Sequence, residues 1–449
     1  MSERFDGRRV LVVGAGVAGR AAATIYADRG AVVRVSDARD AGAIGDVSDL
    51  AGAGVEVRTG GHADDDLDGV DLVFASPGVP PGAPPLVSAR ARGLDVVGEL
   101  ELGAQLASAP YLAVTGTNGK TTATGLLAAC LRADGLDAIA CGNIGYPFPT
   151  AAIEAHDVLV VECSSFQLER QRSFHPRVSV LLNVAPDHLD WHGGFDAYAD
   201  AKAKVFASQR GDDVHVGNRD DEAGAAISAT APCATCWFRA GAPGAGEVGY
   251  RGDRLVARIG DEVDLGAVDA ARAGFREDAA AAATAALAFG AAADAIAMGI
   301  AAFEPARHRG ETVAVVDGVR FVDNSKATNV HAAIAAIDGV TDAVLIAGGR
   351  AKGTDLSSLA SRADRLRAVV ALGEATEELV AAFGDRLPVR RAATIEDAVR
   401  VAHRLAAPGG TVLLAPAAAS WDQFASYEER GDRFTAAARS LPAGADARG

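Results

Sequence analysis

The chain has no excess of basic residues: across its 449 residues, 43 Lys and Arg face 59 Asp and Glu, a net charge of −16. Nucleic-acid backbones and anionic membrane surfaces attract basic patches, so neither partner is expected. Small phosphorylated substrates stay open, because they need only local positive charge. Long apolar runs are also missing. The least polar tract, 279–303, is mostly alanine and is broken by Asp294, which predicts a packed helix and no membrane insertion. The start, Met1-Ser-Glu-Arg-Phe-Asp6, is charged and leads into a strand-like run, so no secretory leader is expected and the expected compartment is the cytoplasm. Five cysteines, an odd number, supply no disulfide framework. Cys233 and Cys236 have metal-like spacing, but no second pair completes a ligand set, so zinc is not expected there.

Lysine is scarce in a more telling way. Of the 43 basic residues only five are Lys: Lys120, Lys202, Lys204, Lys326 and Lys352. Arg replaces Lys on most surfaces, so retained lysines mark places where a compact, flexible, modifiable amine is needed.

What is present centres on Tyr111-Leu-Ala-Val-Thr-Gly-Thr-Asn-Gly-Lys-Thr-Thr122, an apolar run, a glycine turn ending in Lys-Thr, and an apolar-rich segment after it. This is the order strand, phosphate loop, helix. Glycines let the backbone approach an anion, amides and the helix start point at it, Lys120 brings charge and Thr121 offers a hydroxyl to Mg²⁺. The long form of the loop has a first glycine where this chain has Val114, so the loop is a short one.

Length predicts about three domains of roughly 150 residues each. In the first, Arg9-Val-Leu-Val-Val13, Gly14-Ala-Gly-Val-Ala-Gly19 and Val32-Val-Arg-Val-Ser-Asp37 predict a βαβ unit with a glycine fingerprint and a terminal acid. A dinucleotide, another nucleotide, or close packing alone all fit it. The strand Leu72-Val-Phe-Ala75 runs into Ser76-Pro-Gly-Val-Pro80, a turn able to present amides at the same sheet edge. In the second domain Asp157-Val-Leu-Val-Val-Glu-Cys163 ends an apolar strand on Glu162, where such folds hold a metal, although a surface Glu opening a loop fits too. The strand 177–184 leads into Ala185-Pro-Asp-His-Leu-Asp-Trp-His192, a polar loop suited to metal or acid/base work. The following helix carries Lys202 and Lys204, one of which could face that loop, and 211–264 reads as short strands joined by Gly-rich turns. Beyond Pro305, Asp317-Gly318 marks a hairpin, and strands ending near Asp323, Ala347, Leu372 and Leu414 each deliver a polar loop.

Six separated stretches together resemble the Mur ligase family, and within it the branch adding D-glutamate to UDP-N-acetylmuramoyl-L-alanine: Gly116-Thr-Asn-Gly-Lys-Thr121, Gly142-Asn-Ile-Gly145, Glu162-Cys-Ser-Ser-Phe-Gln-Leu168, Asp187-His-Leu-Asp190, Ser325-Lys-Ala-Thr-Asn329 and Ser420-Trp-Asp-Gln-Phe424. The resemblance implies an α/β chain of three domains: a Rossmann-like UDP-sugar domain over 1–98, a mostly parallel ATP domain over 99–303 and a Rossmann-like amino-acid domain over 304–449. It implies a monomeric ATP-dependent ligase in peptidoglycan precursor synthesis, working through an acyl phosphate with Mg²⁺ at two sites.

Site residues follow from the same resemblance. Gly16, Val17, Asp37, Ser76, Pro77, Gly78 and Asn143 would hold the UDP-sugar; Gly116, Thr117, Asn118, Gly119, Lys120, Thr121, Thr122, Arg309 and Asn324 would hold ATP. Thr121, Glu162, His188 and Lys202 would be metal ligands, Lys202 as a CO₂-derived carbamate, and Lys120, His188, Lys202 and Lys326 would be catalytic. Thr328, Lys352, Ser420 and Tyr427 would surround the carboxylates of D-glutamate. Where the family usually has His-Asn-x-x-Asn this chain has Arg276-Glu-Asp-Ala-Ala280; Asn324 replaces a common Asp, and Arg350 stands at an often acidic position. These departures imply altered nucleotide contacts in an enzyme that keeps its phosphate, metal and carbamate residues.

Overall fold

The computed structural model describes residues 5–269, 273–350 and 355–442. Among them the strands form three sheets. The first is all parallel, ordered Glu56–Arg58, Val32–Ser36, Arg9–Val13, Leu72–Ala75, Asp95–Val97. Val10 to Val13 and the strand Leu72–Ala75 are buried throughout, as strands covered on both faces must be. Because Leu72–Ala75 lies beside Arg9–Val13 on the side opposite Val32–Ser36, the order reverses there. The turns leaving these two strands therefore sit side by side at the carboxyl edge, where open sheets of this kind bind ligands.

The second sheet has Tyr111–Thr115 third from one edge, between Val158–Glu162 and Val178–Leu181, all parallel. It continues past Val178–Leu181 through Val214–Asn218 and Ala234–Phe238 to an antiparallel edge made by Glu247–Arg251, Arg254–Ile259 and Asp261–Ala267. The segment 211–264 is thus strand-rich as expected, but it also holds a helix, Glu222–Ser228, started by the Asp221 carboxylate accepting from Gly224 N–H. The alanine tract forms two helices, Ala273–Phe289 and Ala293–Ala302. Small side chains let the second approach Lys120–Ala133: a Cβ on Gly299 would lie 2.6 Å from Cys130 Cα. Among the described residues no helix is long and apolar enough to cross a membrane.

The third sheet is ordered Glu311–Val316, Val319–Asp323, Thr411–Leu414, Ala343–Gly348, Leu366–Leu372, Val389–Arg391, antiparallel only at the first pair. Asp317 and Gly318, with φ of 50° and 78°, make that hairpin's turn, the doubly left-handed form that matches strand twist.

By compactness the chain divides in two. One unit comprises Met1–Val184, Trp191–Ala267 and Asp278–Phe303, and so carries the first two sheets; the other comprises Ala185–Asp190, Val268–Glu277 and Glu304–Gly449.

Candidate functional site

In the first unit the fingerprint loop is built by close approach. Gly14 takes φ 95°, and a Cβ on Gly19 would fall 1.9 Å from Gly14 O and 2.6 Å from Ser76 Oγ, so this turn needs glycine at both places. Ser76 Oγ donates to Gly14 O at 2.8 Å, tying the two switch-point turns together. Asp37 is buried and already engaged: its carboxylate accepts from Ala15 N–H at 2.7 Å and from the backbone and guanidinium of Arg39. The Arg39 guanidinium, outweighing the cost of burial, holds its carboxyl well below the usual range. Gly16, Val17 and Gly78 are open to solvent.

A cavity of about 180 Å³ is lined by Val17, Ala18, Pro77, Glu99, Gly142, Asn143, Gly145, Pro147 and Gln167. It brings together three residues expected from sequence, Val17, Pro77 and Asn143, and adds Glu99 and Gln167. Glu99 is 3% exposed; its carboxylate accepts from Phe148 N–H at 3.1 Å and Gln167 Nε2 at 2.7 Å. Burial pushes its carboxyl above the ordinary range, against the pull of those two bonds.

The phosphate loop leaves Tyr111–Thr115, and the helix Lys120–Ala133 begins at its end. Gly119 is the helix cap, in the left-handed region at φ 82°. The loop is pinned from below by Asn183: Thr117 N–H donates to its backbone O at 2.9 Å and its Oδ1 at 3.1 Å, and Asn118 N–H to Oδ1 at 2.9 Å. Lys120 Nζ donates to Gly116 O and Thr117 O, each at 2.9 Å. Lys202, 1% exposed, donates to the same Gly116 O at 2.6 Å, and its Nζ lies 4.6 Å above the Tyr198 ring. Tyr198 OH in turn meets Thr117 Oγ1 at 3.0 Å. Of the two lysines on this segment, one of them expected to face 185–192, Lys202 reaches the phosphate loop at Gly116, while Lys204 pairs with Glu169 at 2.9 Å. Thr121 stands in the helix's first turn and is half-buried; Thr122 is buried.

Glu162 ends the strand beside the loop, in register with Val114 and Gly142. It is 2% exposed. Its Oε1 accepts from Asn143 Nδ2 at 2.7 Å, whereas Oε2 is buried with no hydrogen-bond partner. A buried carboxylate oxygen without a donor is costly unless a cation belongs there, so this atom beside the phosphate loop fits Mg²⁺. Among the described residues no group of three His, Cys, Asp or Glu clusters as a metal site. Asp278 was not singled out by sequence: it is buried, and a Cβ on Gly119 would lie 2.0 Å from its Oδ1.

In the second unit His188 takes φ 52°, and its N–H donates to Asp187 Oδ1 at 3.0 Å. Asn329 Nδ2 holds the other Asp187 oxygen at 3.2 Å. The loop 324–329 is anchored by Arg430, 1% exposed, which donates to Ser325 Oγ at 3.0 Å, Ser325 O at 2.9 Å and Ala418 O at 3.2 Å. Lys326 Nζ lies 3.8 Å over the Tyr427 ring and Lys326 N–H donates to His308 O, so these two expected residues meet. Asn324 N–H donates to Leu414 O; Thr328, Asn324 and Arg309 are half-buried, and Ser420 is buried. Arg350 is exposed and pairs with Glu374. Lys352 lies outside the described residues.

Comparison with known proteins agrees across the chain. Residues 8–98 match the model of the Mur ligase MurD-like N-terminal domain, 114–242 the Mur ligase middle domain and 308–418 the Mur ligase glutamate ligase domain. The chain is 44% identical to a UDP-N-acetylmuramoylalanine–D-glutamate ligase from Frankia casuarinae, over 97% of this chain and 95% of that one. It is 43% identical to the protein of the same name from Salinibacter ruber, over 95% and 96%. Its fold resembles MurF from Acinetobacter baumannii, with a TM-score of 0.62 at 17% identity over 96% of this chain and 93% of that one. It also resembles UDP-N-acetylmuramate-alanine ligase MurC from Thermotoga maritima, with a TM-score of 0.60 at 16% identity over 96% and 99%. With three family domains matched in order and relatives above 40% identical over nearly its whole length, the chain belongs to the Mur ligase family.

Proposed function

We propose that the chain is an ATP-dependent ligase that joins D-glutamate to UDP-N-acetylmuramoyl-L-alanine in peptidoglycan precursor synthesis, in the cytoplasm and as a monomer. The observation that carries this reading is the pairing of a lysine-bearing phosphate loop with the donorless buried oxygen of Glu162 on the neighbouring strand. Near-full-length relatives carrying that activity in their names supply the substrate identity. The corresponding domains are 1–98 for the UDP-sugar, 99–303 for ATP and 304–449 for the amino acid.

A free carboxylate is a poor acyl donor. In the proposed reaction the L-alanyl carboxylate attacks the γ-phosphorus of ATP, the bond to the bridging oxygen breaks, and ADP leaves with its electron pair. The amine of D-glutamate then attacks the acyl carbon, phosphate departs and the nitrogen gives up a proton. Mg²⁺, when bound, neutralises phosphate oxygens, and Thr121, Glu162 and a carbamate on Lys202 are its assigned holders, with His188 assigned to a second ion. The chain's own share is positioning and charge. Asn183 fixes the loop amides, Lys120 turns from the Gly116 and Thr117 carbonyls to the phosphates, and Lys326 meets the transferring group. Gly16, Val17, Asp37, Ser76, Pro77, Gly78 and Asn143 are assigned to the UDP-sugar, Arg309 and Asn324 to ATP, and Thr328, Lys352, Ser420 and Tyr427 to D-glutamate.

The test is phosphate release from ATP with UDP-N-acetylmuramoyl-L-alanine and D-glutamate, L-glutamate or no amino acid, with the product weighed by mass spectrometry. Turnover and a product heavier by one glutamyl residue only with D-glutamate are expected. ATP binding without turnover under any of these conditions would instead make the chain a nucleotide-binding regulator.

A further inference from the structure

Arg170 is a buried guanidinium, 8% exposed, just past the short helix Ser165–Leu168 in the first unit. Nη1 donates to Ser76 O at 2.9 Å, and Nη2 donates to Val79 O. Ser76 O also accepts from Val79 N–H at 3.0 Å, so Ser76 to Val79 is a closed β-turn, and Arg170 grips the carbonyls at both its ends. The grip is prepared on either side. Glu99 fixes Gln167, and Glu101 accepts from the N–H groups of Arg172 and Ser173 at 2.7 Å each, so the segment carrying Arg170 is clamped to the helix Glu99–Leu106. Gly98 leaves room for the side chain: a Cβ there would meet Arg170 Cβ at 3.0 Å.

Among the described residues Arg170 has no carboxylate within ion-pair distance, and its neighbour Glu169 is paired with Lys204. Arg90 adds a second cation just beyond that turn, donating to Pro81 O at 2.8 Å. Burial, reinforced by Arg90, lowers the Arg170 guanidinium to about 10, which still leaves it charged near neutrality. The adjoining Glu169 offsets part of that cost, but the hydrogen bonds of the guanidinium go only to carbonyls, so an anionic ligand nearby would supply the counter-charge that a buried cation needs. The turn it grips is bonded through Ser76 Oγ to the fingerprint loop at Gly14, and its Pro77 lines the cavity shared with Val17 and Asn143.

From these contacts we infer that Arg170 is a positioning residue for an anionic nucleotide: gripping the Ser76–Val79 turn from behind, it sets the turn's shape and lends its charge to the diphosphate held in front. This rests on the proposed UDP-sugar reading of the first sheet. It also links that turn mechanically to the segment following Glu162, so the two ends of the reaction are braced by one side chain.

The experiment is calorimetric binding of UDP-N-acetylmuramoyl-L-alanine, UDP, uridine and ATP to the full chain and to Arg170→Met and Arg170→Lys. Loss of the charge behind the turn and of both bonds that shape it predicts about tenfold weaker UDP and UDP-sugar binding in Arg170→Met, with uridine and ATP nearly unchanged. Arg170→Lys keeps the charge and one bond and should recover part of the loss. Equal weakening of UDP and uridine, or no weakening of either, overturns the inference. Should Arg170→Met not fold, the UDP-to-uridine affinity ratio in Arg170→Lys decides, an unchanged ratio overturning it. If the unaltered chain binds neither UDP nor the UDP-sugar, the UDP-sugar reading fails instead.

Discussion

His215 offers a sharply defined perturbation of stability by acid. It is fully buried in the second sheet, with Nδ1 2.7 Å from Ser179 Oγ and Nε2 2.9 Å from Ser228 Oγ. Its tautomer follows from its neighbours. Gln209 Nε2 donates to Pro176 O and Val214 O, which turns Gln209 Oε1 toward Ser179 as acceptor of the Ser179 hydroxyl proton. Ser179 Oγ must then accept from His215 Nδ1–H, leaving Nε2 to accept from Ser228. A proton on Nε2 would require the Ser228 hydroxyl to turn and accept instead, and burial alone pushes the imidazole down to about 3. Below its ordinary value of about 6.5 the unfolded chain takes up a proton that the folded chain refuses until about 3, so stability falls as pH falls through that window. At about 1.4 kcal/mol per pH unit, moving from about pH 7.5 to about pH 4.5 removes roughly 2.6 kcal/mol through this one group. Carboxylates contribute acid sensitivity of their own, so the readout is the difference between the native chain and His215→Gln. Urea unfolding followed by tryptophan fluorescence, to which Trp237 on the strand paired with that of His215 contributes, should give a loss smaller in the variant by about this amount. Parallel losses in both proteins, or a His215 ring that titrates near 6.5 by NMR, would refute the reasoning.

Three further outcomes are expected. Lys120→Ala should lower kcat by about 10² to 10³, the usual effect of removing one group that stabilises developing charge, and near-normal phosphate release would sink its assignment. Lys202→Ala should lose turnover and regain part of it with added short carboxylic acids, which take the place of a carbamate; unimpaired activity in the variant itself would end the carbamate reading. Gly19→Ala places a methyl 1.9 Å from Gly14 O and should weaken UDP binding while leaving ATP binding intact, as competition calorimetry would reveal.

Much of this was readable before any coordinates. The phosphate loop, the fingerprint turn and the Asp317-Gly318 hairpin are local devices whose residue types are demanded by their own backbone, and each stands where expected. The alanine tract also packs as helix, because small side chains permit the Gly299 approach to Cys130. Other features depend on partners distant in sequence. The edge strands Glu56–Arg58 and Val389–Arg391 are short, polar and partly exposed, so no apolar pattern marks them. Asn183 reads as the tail of a strand; only folding brings it under the loop 65 residues earlier. Glu99 and Arg170 look like surface charges, and Asp278 stands in the stretch 276–280, where only folding brings it against Gly119. The grouping of 185–190 and 268–277 with the later chain has no local signal either.

The seclusion of Lys202 has a kinetic corollary. An amine 1% exposed and bonded to the Gly116 carbonyl is not met by dissolved CO₂ at every encounter. Uptake and loss of the gas at the carbamate proposed for Lys202 would be gated by the motion that uncovers the nitrogen, and the exchange lifetime of that group, labelled with ¹³C, would then serve as a clock for breathing of the phosphate loop.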